Sequence, residues 1–280
     1  MANLHGRFVW YELATTDMAA AKAFYAGVMG WVTRDVPAAG GAYTLFTTGG
    51  TPVSGLMALP EEAQQSGLRP SWLGYVGVDD VDAAAERIEA LGGAVHVPPT
   101  EIPNISRFCV AVDPQQATFA LLKWLDAGQE RATELVTPGG VGWHELLAAD
   151  WEKAWAFYRE LLGWKKAEVD SSAMGTYQLF SAGGETIGGM FTKPPTAPLP
   201  FWLYYFKIAD IDVAMKRVKA GGGAILCSPI EVPGDRWIVQ CTDPQRAMFA
   251  LVGKRRHSGV GYFAPDPSRN RSSPPIRGSS

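Results

Sequence analysis

Apolar residues return every three or four positions at Ala20, Phe24, Val28 and Trp31, and again at Ala154, Phe157 and Leu161. The spacing predicts two one-sided helices. Asp17 and Asp150 stand where each would begin, and a carboxylate there accepts a backbone N–H and meets the positive end of the helix dipole. Gly30 and Gly163 stand where each would end, at the position that favours a left-handed residue. From Asp17 to Asp150 the shift is 133 residues, and Trp10 to Trp143 keeps it. Tyr43/Tyr177, Gly49-Gly50/Gly183-Gly184, Trp72/Trp202 and Asp113-Pro114-Gln115/Asp243-Pro244-Gln245 follow at nearly the same offset. So many unlike residues sharing one shift mean two copies of one domain. The period is too long for a solenoid, which repeats at ~20–50 residues.

Alternation and β-branched or aromatic runs predict the strands. Phe8–Leu13 precedes the first helix, and Trp31–Val36, Tyr43–Thr47 and Val53–Leu59 follow it between Gly-rich turns. After a connector from Pro60 to Pro70 the order begins again with Trp72–Val78. Its helix is capped by Asp80 and carries Val81, Ala84, Ile88 and Leu91 on one face. Ala94–Val97, Arg107–Val112 and Thr118–Trp124 complete the unit. Each half is thus a pair of βαβββ units. The expected boundaries are a first domain at 7–125, a linker at 126–140, a second domain at 141–254 and a disordered Arg-, Ser- and Pro-rich tail at 255–280. In the second domain Pro194–Pro200 is the connector, and Ile211, Ala214 and Val218 mark the second helix.

Composition narrows the function classes. The chain has 280 residues, 47% hydrophobic and 19% charged, with a formal net charge of −3. That balance suits a globular protein and argues against a nucleic-acid partner, which favours a basic face. No apolar run is long enough to span a membrane and no signal peptide is read, so a cytoplasmic protein is expected. Three scattered cysteines, Cys109, Cys227 and Cys241, read as reduced thiols.

Paired βαβββ units with Asp-capped helices, a Phe-Tyr…Gly-Trp helix ending and an Asp-Pro-Gln…Phe-Ala-Leu final hairpin resemble the vicinal oxygen chelate superfamily of glyoxalases, bleomycin-resistance proteins and extradiol dioxygenases. The resemblance covers residues 7–254. It implies an α+β fold: tandem domains, each a cupped eight-stranded mixed sheet with helices outside. It also implies His, Glu or Gln metal ligands on strands lining the cup. Those positions fall on Trp10 and Trp143 in the first strands, on Ala120 and Ala250 in the last, and near Leu73 and Leu203, with Trp72 and Trp202 beside them. None of these side chains coordinates a divalent ion. No cofactor is therefore expected, with a divalent metal held by unconventional residues such as Glu12, Glu145 or His144 as the alternative.

The candidate ligand-binding residues are Trp10, Glu12, Trp72, Arg107, Trp143, Glu145, Trp202 and Arg236. Glu12 and Glu145 are also weak catalytic candidates, since a carboxylate among tryptophans must find a donor or take up a proton. Arg107 and Arg236, read as equivalent positions, are the expected donors. Strand alternation sends Glu145 to the cup and His144 to the helix side, so the pair cannot share an ion. The expected partner is a small hydrophobic or aromatic molecule. The chain itself is expected as a monomer that mimics a dimer, or as a homodimer.

Overall fold

The structure is a computed structural model that describes residues 4–38, 41–125, 139–172 and 175–255. The first half runs β1 (Phe8–Thr15), α1 (Met18–Met29), β2 (Val32–Ala38), β3 (Gly41–Thr48), β4 (Thr51–Ala58), a one-turn α2 (Glu61–Gln65), β5 (Ser71–Gly77), α3 (Val81–Ala90), β6 (Ala94–Ile102), β7 (Ser106–Val112) and β8 (Thr118–Trp124). The second half runs β9 (Val141–Ala148), α4 (Trp151–Leu162), β10 (Lys165–Ser172), β11 (Gly175–Ala182), β12 (Glu185–Thr192), β13 (Phe201–Asp210), α5 (Ile211–Ala220), β14 (Ala224–Ile225), β15 (Ile230–Val232), β16 (Arg236–Thr242) and β17 (Met248–Lys254). Most of the expected linker, 126–138, and the tail beyond Arg255 lie outside the described residues.

The helix ends follow the predicted chemistry. Asp17 accepts from the Ala20 amide at 2.9 Å, and Asp150 accepts from Glu152 and Lys153. Gly30 and Gly163 close their helices at φ of 74° and 69°. The short α2 was not expected in the Pro60–Pro70 connector. Glu61 and Glu62 favour its first turn, and Gln64 Nε2 donates to the Leu59 carbonyl at 2.8 Å.

The first sheet has the order β2-β3-β4-β1-β5-β8-β7-β6, and the second repeats it as β10-β11-β12-β9-β13-β17-β16-β14, with β15 also pairing β16. β1 runs parallel to β4 and antiparallel to β5, and β5 runs parallel to β8. The two units of each half therefore pair with each other, a choice the sequence leaves open. Each curled sheet presents one face to a cup and the other to helices.

The helix-bearing faces of the two halves meet, and one apolar core runs through both. The contacts across this seam are reciprocal. Tyr25 donates to Asp243 at 3.2 Å, and Tyr158 donates to Asp113 at 3.2 Å. Trp72 Nε1 donates to the Tyr25 hydroxyl and Trp202 Nε1 to that of Tyr158. Phe24 meets Phe249 edge-on as Phe157 meets Phe119. The helices thus lie outside the cups, with α1 and α4 each packed on the opposite half. Tyr11 and His144 hold equivalent positions and join directly, Tyr11 Oη to His144 Nε2 at 2.6 Å. His144 Nδ1 lies 2.6 Å from the Ile187 carbonyl, which can only accept. Nδ1 therefore carries the proton and Nε2 accepts from Tyr11. Burial pushes this imidazole down to about 4.

Candidate ligand-binding cups

On the cup face of the first sheet, Val9, Trp10, Tyr75, Ala120 and Leu122 form a cluster separate from the main core, with Leu45, Leu73, Phe108 and Trp124 half-buried around it. Glu12 sits among them. Tyr43 donates to its Oε2 at 2.8 Å, Tyr75 to its Oε1 at 2.9 Å, and Trp10 Nε1 donates to the Tyr43 hydroxyl at 3.2 Å. The second cup repeats the cluster around Glu145. Tyr177 and Tyr205 donate to its two oxygens at 3.0 and 2.8 Å, and Trp143 Nε1 donates to Tyr177 at 2.9 Å.

A glycine makes each cluster possible. Gly55 lies beside Glu12 on β4, and Gly189 lies beside Glu145 on β12. A Cβ on Gly55 would fall inside the Tyr43 hydroxyl, and one on Gly189 would come within 2.2 Å of the Tyr177 ring. Each phenol crosses its neighbouring strand only because that strand lacks a side chain there.

Burial pushes both carboxyls above the ordinary glutamate value, and the two phenol donors in each cup pull part of the way back. The tyrosines rise in turn, chiefly from burial and then from the adjacent carboxylate. Each cup therefore holds a polar centre of one carboxyl and two phenols in an aromatic wall.

Of the candidates, Trp10 and Glu12 come together in one cup, and Trp143 and Glu145 in the other. Trp72 and Trp202 do not join them. They stand on the seam face, 6% exposed each and bonded to Tyr25 and Tyr158, while their neighbours Leu73 and Leu203 face the cups. The arginine donors are a second correction. Arg107 is paired with Asp82 on α3 through two bonds of 2.6 Å, and tyrosines supply the donors instead. β7 and β16 show why. Arg107 pairs with Lys123 as Trp237 pairs with Gly253, so Arg107 corresponds to Trp237 and Arg236 to Ser106. One residue of register moves a side chain to the other face. Arg236 is on the cup row with Ile238 and Gln240 but makes no bond with Glu145.

Tyr43 and Tyr177 carried a signal in the repeat. Tyr75 and Tyr205 did so too, but only at the slightly shorter offset of the second units. Tyr204, the neighbouring aromatic, turns to the seam and accepts from the Gly74 amide at 2.8 Å. His144 is on the seam face as expected, with both nitrogens engaged, and cannot share a ligand with Glu145.

The strand positions that the resemblance assigns to metal ligands do cluster on the cup faces, as Trp10, Leu73 and Ala120 and as Trp143, Leu203 and Ala250. They offer no lone pair for a metal, and the glutamate beside them has both oxygens bound by phenols. Among the described residues, no three His, Cys, Asp or Glu side chains gather as a possible ion site. The side chains present do not fit a divalent ion.

Residues 7–121 and 140–251 match the family model for the glyoxalase/bleomycin resistance protein/dioxygenase superfamily. The chain belongs to this superfamily. Among the curated proteins it resembles, "Putative glyoxylase CFP32" of Mycobacterium bovis is 32% identical over 246 residues, covering 87% of this chain and 93% of that one. "Anthracycline biosynthesis protein DnrV" of Streptomyces peucetius is 30% identical over 263 residues, covering 89% and 94%. The fold is shared with the Mn(II)-bound glyoxalase from Novosphingobium aromaticivorans, at a TM-score of 0.61 and 15% identity over 89% of this chain and 82% of that one. It is shared too with the 2,3-dioxygenase LapB from Pseudomonas sp. KL28, at 0.60 and 12% over 91% and 94%. Among the described residues, no helix is long and apolar enough to cross a membrane.

Proposed function

We propose that each half of this superfamily member binds a small hydrophobic or aromatic molecule in its cup without a resident metal ion. The observation that carries the reading is the glutamate at each cup centre. Both its oxygens are held by tyrosines, and tryptophan and alanine stand where coordinating side chains would be needed. The anthracycline-biosynthesis relative supports a flat polycyclic ligand of this kind. The reciprocal seam supports a monomer that serves as its own dimer.

Two measurements test this. Elemental analysis of the purified chain is expected to find divalent metal well below one ion per half; a full complement surviving dialysis against chelator would instead favour a metal-dependent lyase or dioxygenase. Titration with doxorubicin, followed by tryptophan emission, is expected to saturate. Glu12→Gln with Glu145→Gln should weaken that binding several-fold while leaving the unfolding midpoint nearly unchanged, because the amide oxygen still accepts from one tyrosine and the other phenol can turn a lone pair to the new NH2. If the double change unfolds the protein, the carboxylates are architecture.

A further inference from the structure

The two cups share a centre but differ beside it. Gln240 on β16 pairs with Ala250 as Val110 on β7 pairs with Ala120, so the two residues hold equivalent places. Val110 adds a plain apolar wall to the first cup, and Phe108, two residues before it, meets Tyr75 edge-on at 6.2 Å. In the second cup Ile238 replaces that ring and Gln240 replaces the valine. Gln240 Nε2 lies 3.5 Å from the Tyr205 hydroxyl. Tyr205 gives its proton to Glu145 Oε2 at 2.8 Å, so the amide is the donor in this contact. Gln240 is half-buried, and its Oε1 is not one of the sealed polar atoms that lack a partner. With Nε2 held at the cup centre, that oxygen and the second hydrogen on Nε2 are presented side by side at the cup surface.

The apolar bulk shifts as well. Leu147, Phe201 and Met248 line the second cup at the places of Ala14, Ser71 and Thr118 in the first. The first cup instead carries Trp124, edge-on to Trp10 at 6.0 Å, on the other side of its glutamate. We propose that Gln240 makes the second cup selective for a ring system bearing a neutral group with donor and acceptor side by side, such as a primary carboxamide or a lactam, whereas Val110 leaves the first cup to plain aromatic rings. This rests on the cup-binding reading above. An amide laid against Gln240 forms two hydrogen bonds, its N–H to Oε1 and its carbonyl to Nε2, and its ring body runs toward Leu203 and Phe201. A guest of the same shape without the N–H leaves Oε1 against an apolar group, and a polar atom stripped of water without a partner is costly. In the first cup the guest's N–H would itself be the stranded group, facing valine.

The test compares 2-naphthamide with 2-acetonaphthone, in which a methyl group replaces the NH2, by calorimetric titration of the full chain. Wild type is expected to bind the amide about tenfold more tightly than the ketone at one of two sites. Gln240→Met keeps the shape of the side chain and removes both polar atoms, and should bring the amide to the level of the ketone at that site. Val110→Gln should give the other site a preference for the amide of several-fold. The second variant lies in the opposite half, so it tests the same claim even if the first fails to fold, and urea unfolding midpoints report on both. Equal binding of the two probes by wild type, a preference that survives Gln240→Met, or a Val110→Gln chain that gains none overturns the donor selection and leaves the cup reading standing. Failure of both probes to bind overturns the cup reading and this inference with it.

Discussion

The two faces of each sheet solve opposite problems with the same residue types. The seam face and the cup face are both rich in tryptophan, tyrosine and an acidic side chain. On the seam, Tyr25 and Tyr158 reach across to Asp243 and Asp113, and rings such as Phe206, 1% exposed, lock between Trp31 and Trp72. In the cups, tyrosines bond to a glutamate of their own half, and Trp143, Phe108 and Phe191 stay half-buried. An aromatic set closed by the other half becomes core. The same set closed only by itself stays partly open to solvent.

The largest expected effect breaks the seam. Phe206→Ala should cost about 3–5 kcal/mol of stability, as large-to-small changes in a sealed core do. Phe191→Ala, in the second cup, should cost about 1 kcal/mol, because part of that ring already meets solvent. Urea denaturation of the two variants measures both, and equal losses would erase the distinction between the faces.

The next effect separates the faces by pH. His144 is neutral in the fold with its value lowered to about 4, against an ordinary value of 6.5. The unfolded chain binds the proton more readily between those limits, so stability falls on acidification from pH 6.5 to 4, by roughly 3 kcal/mol. The cup glutamates act with the opposite sign. Their raised values mean the folded chain holds the proton more readily, so their contribution declines as pH rises above about 4.5. His144→Phe should be less stable at neutral pH, since Tyr11 and the Ile187 carbonyl lose their partner, but should lack the acid loss over that window. Thermal unfolding across pH 4–7 reads the difference. A variant that keeps the full acid loss would place the sensitivity elsewhere.

The smallest effect sharpens the cup. Gly55→Ala and Gly189→Ala should each cost about 1–2 kcal/mol by driving a tyrosine off its glutamate. In a double-mutant cycle, Tyr43→Phe should then add little to Gly55→Ala. Additive losses would mean that the phenol stays bonded despite the new methyl group.

Much of this architecture was readable in the chain. The Asp caps, the terminal glycines and the shared shift gave four units and two domains, because those signals are local and occur twice. Strand alternation also assigned Glu145 and His144 to opposite faces. It failed for Trp72 and Arg107 for one physical reason: a strand has period two, and a count that slips by one residue exchanges the faces. The pairing of Arg107 with Asp82 is set by α3, which a linear reading does not bring near β7. The tyrosine donors escaped because a phenol reaches Glu12 from β3 across Gly55, a diagonal contact visible only once three strands are aligned.

Because the helix-bearing faces meet, the two concave surfaces point away from each other on one molecule. On the binding proposed above, two guests would occupy it at once without touching, and the chain would be bivalent. Any influence of one guest on the other would have to travel through the joined Tyr11 and His144 and the rings packed around them.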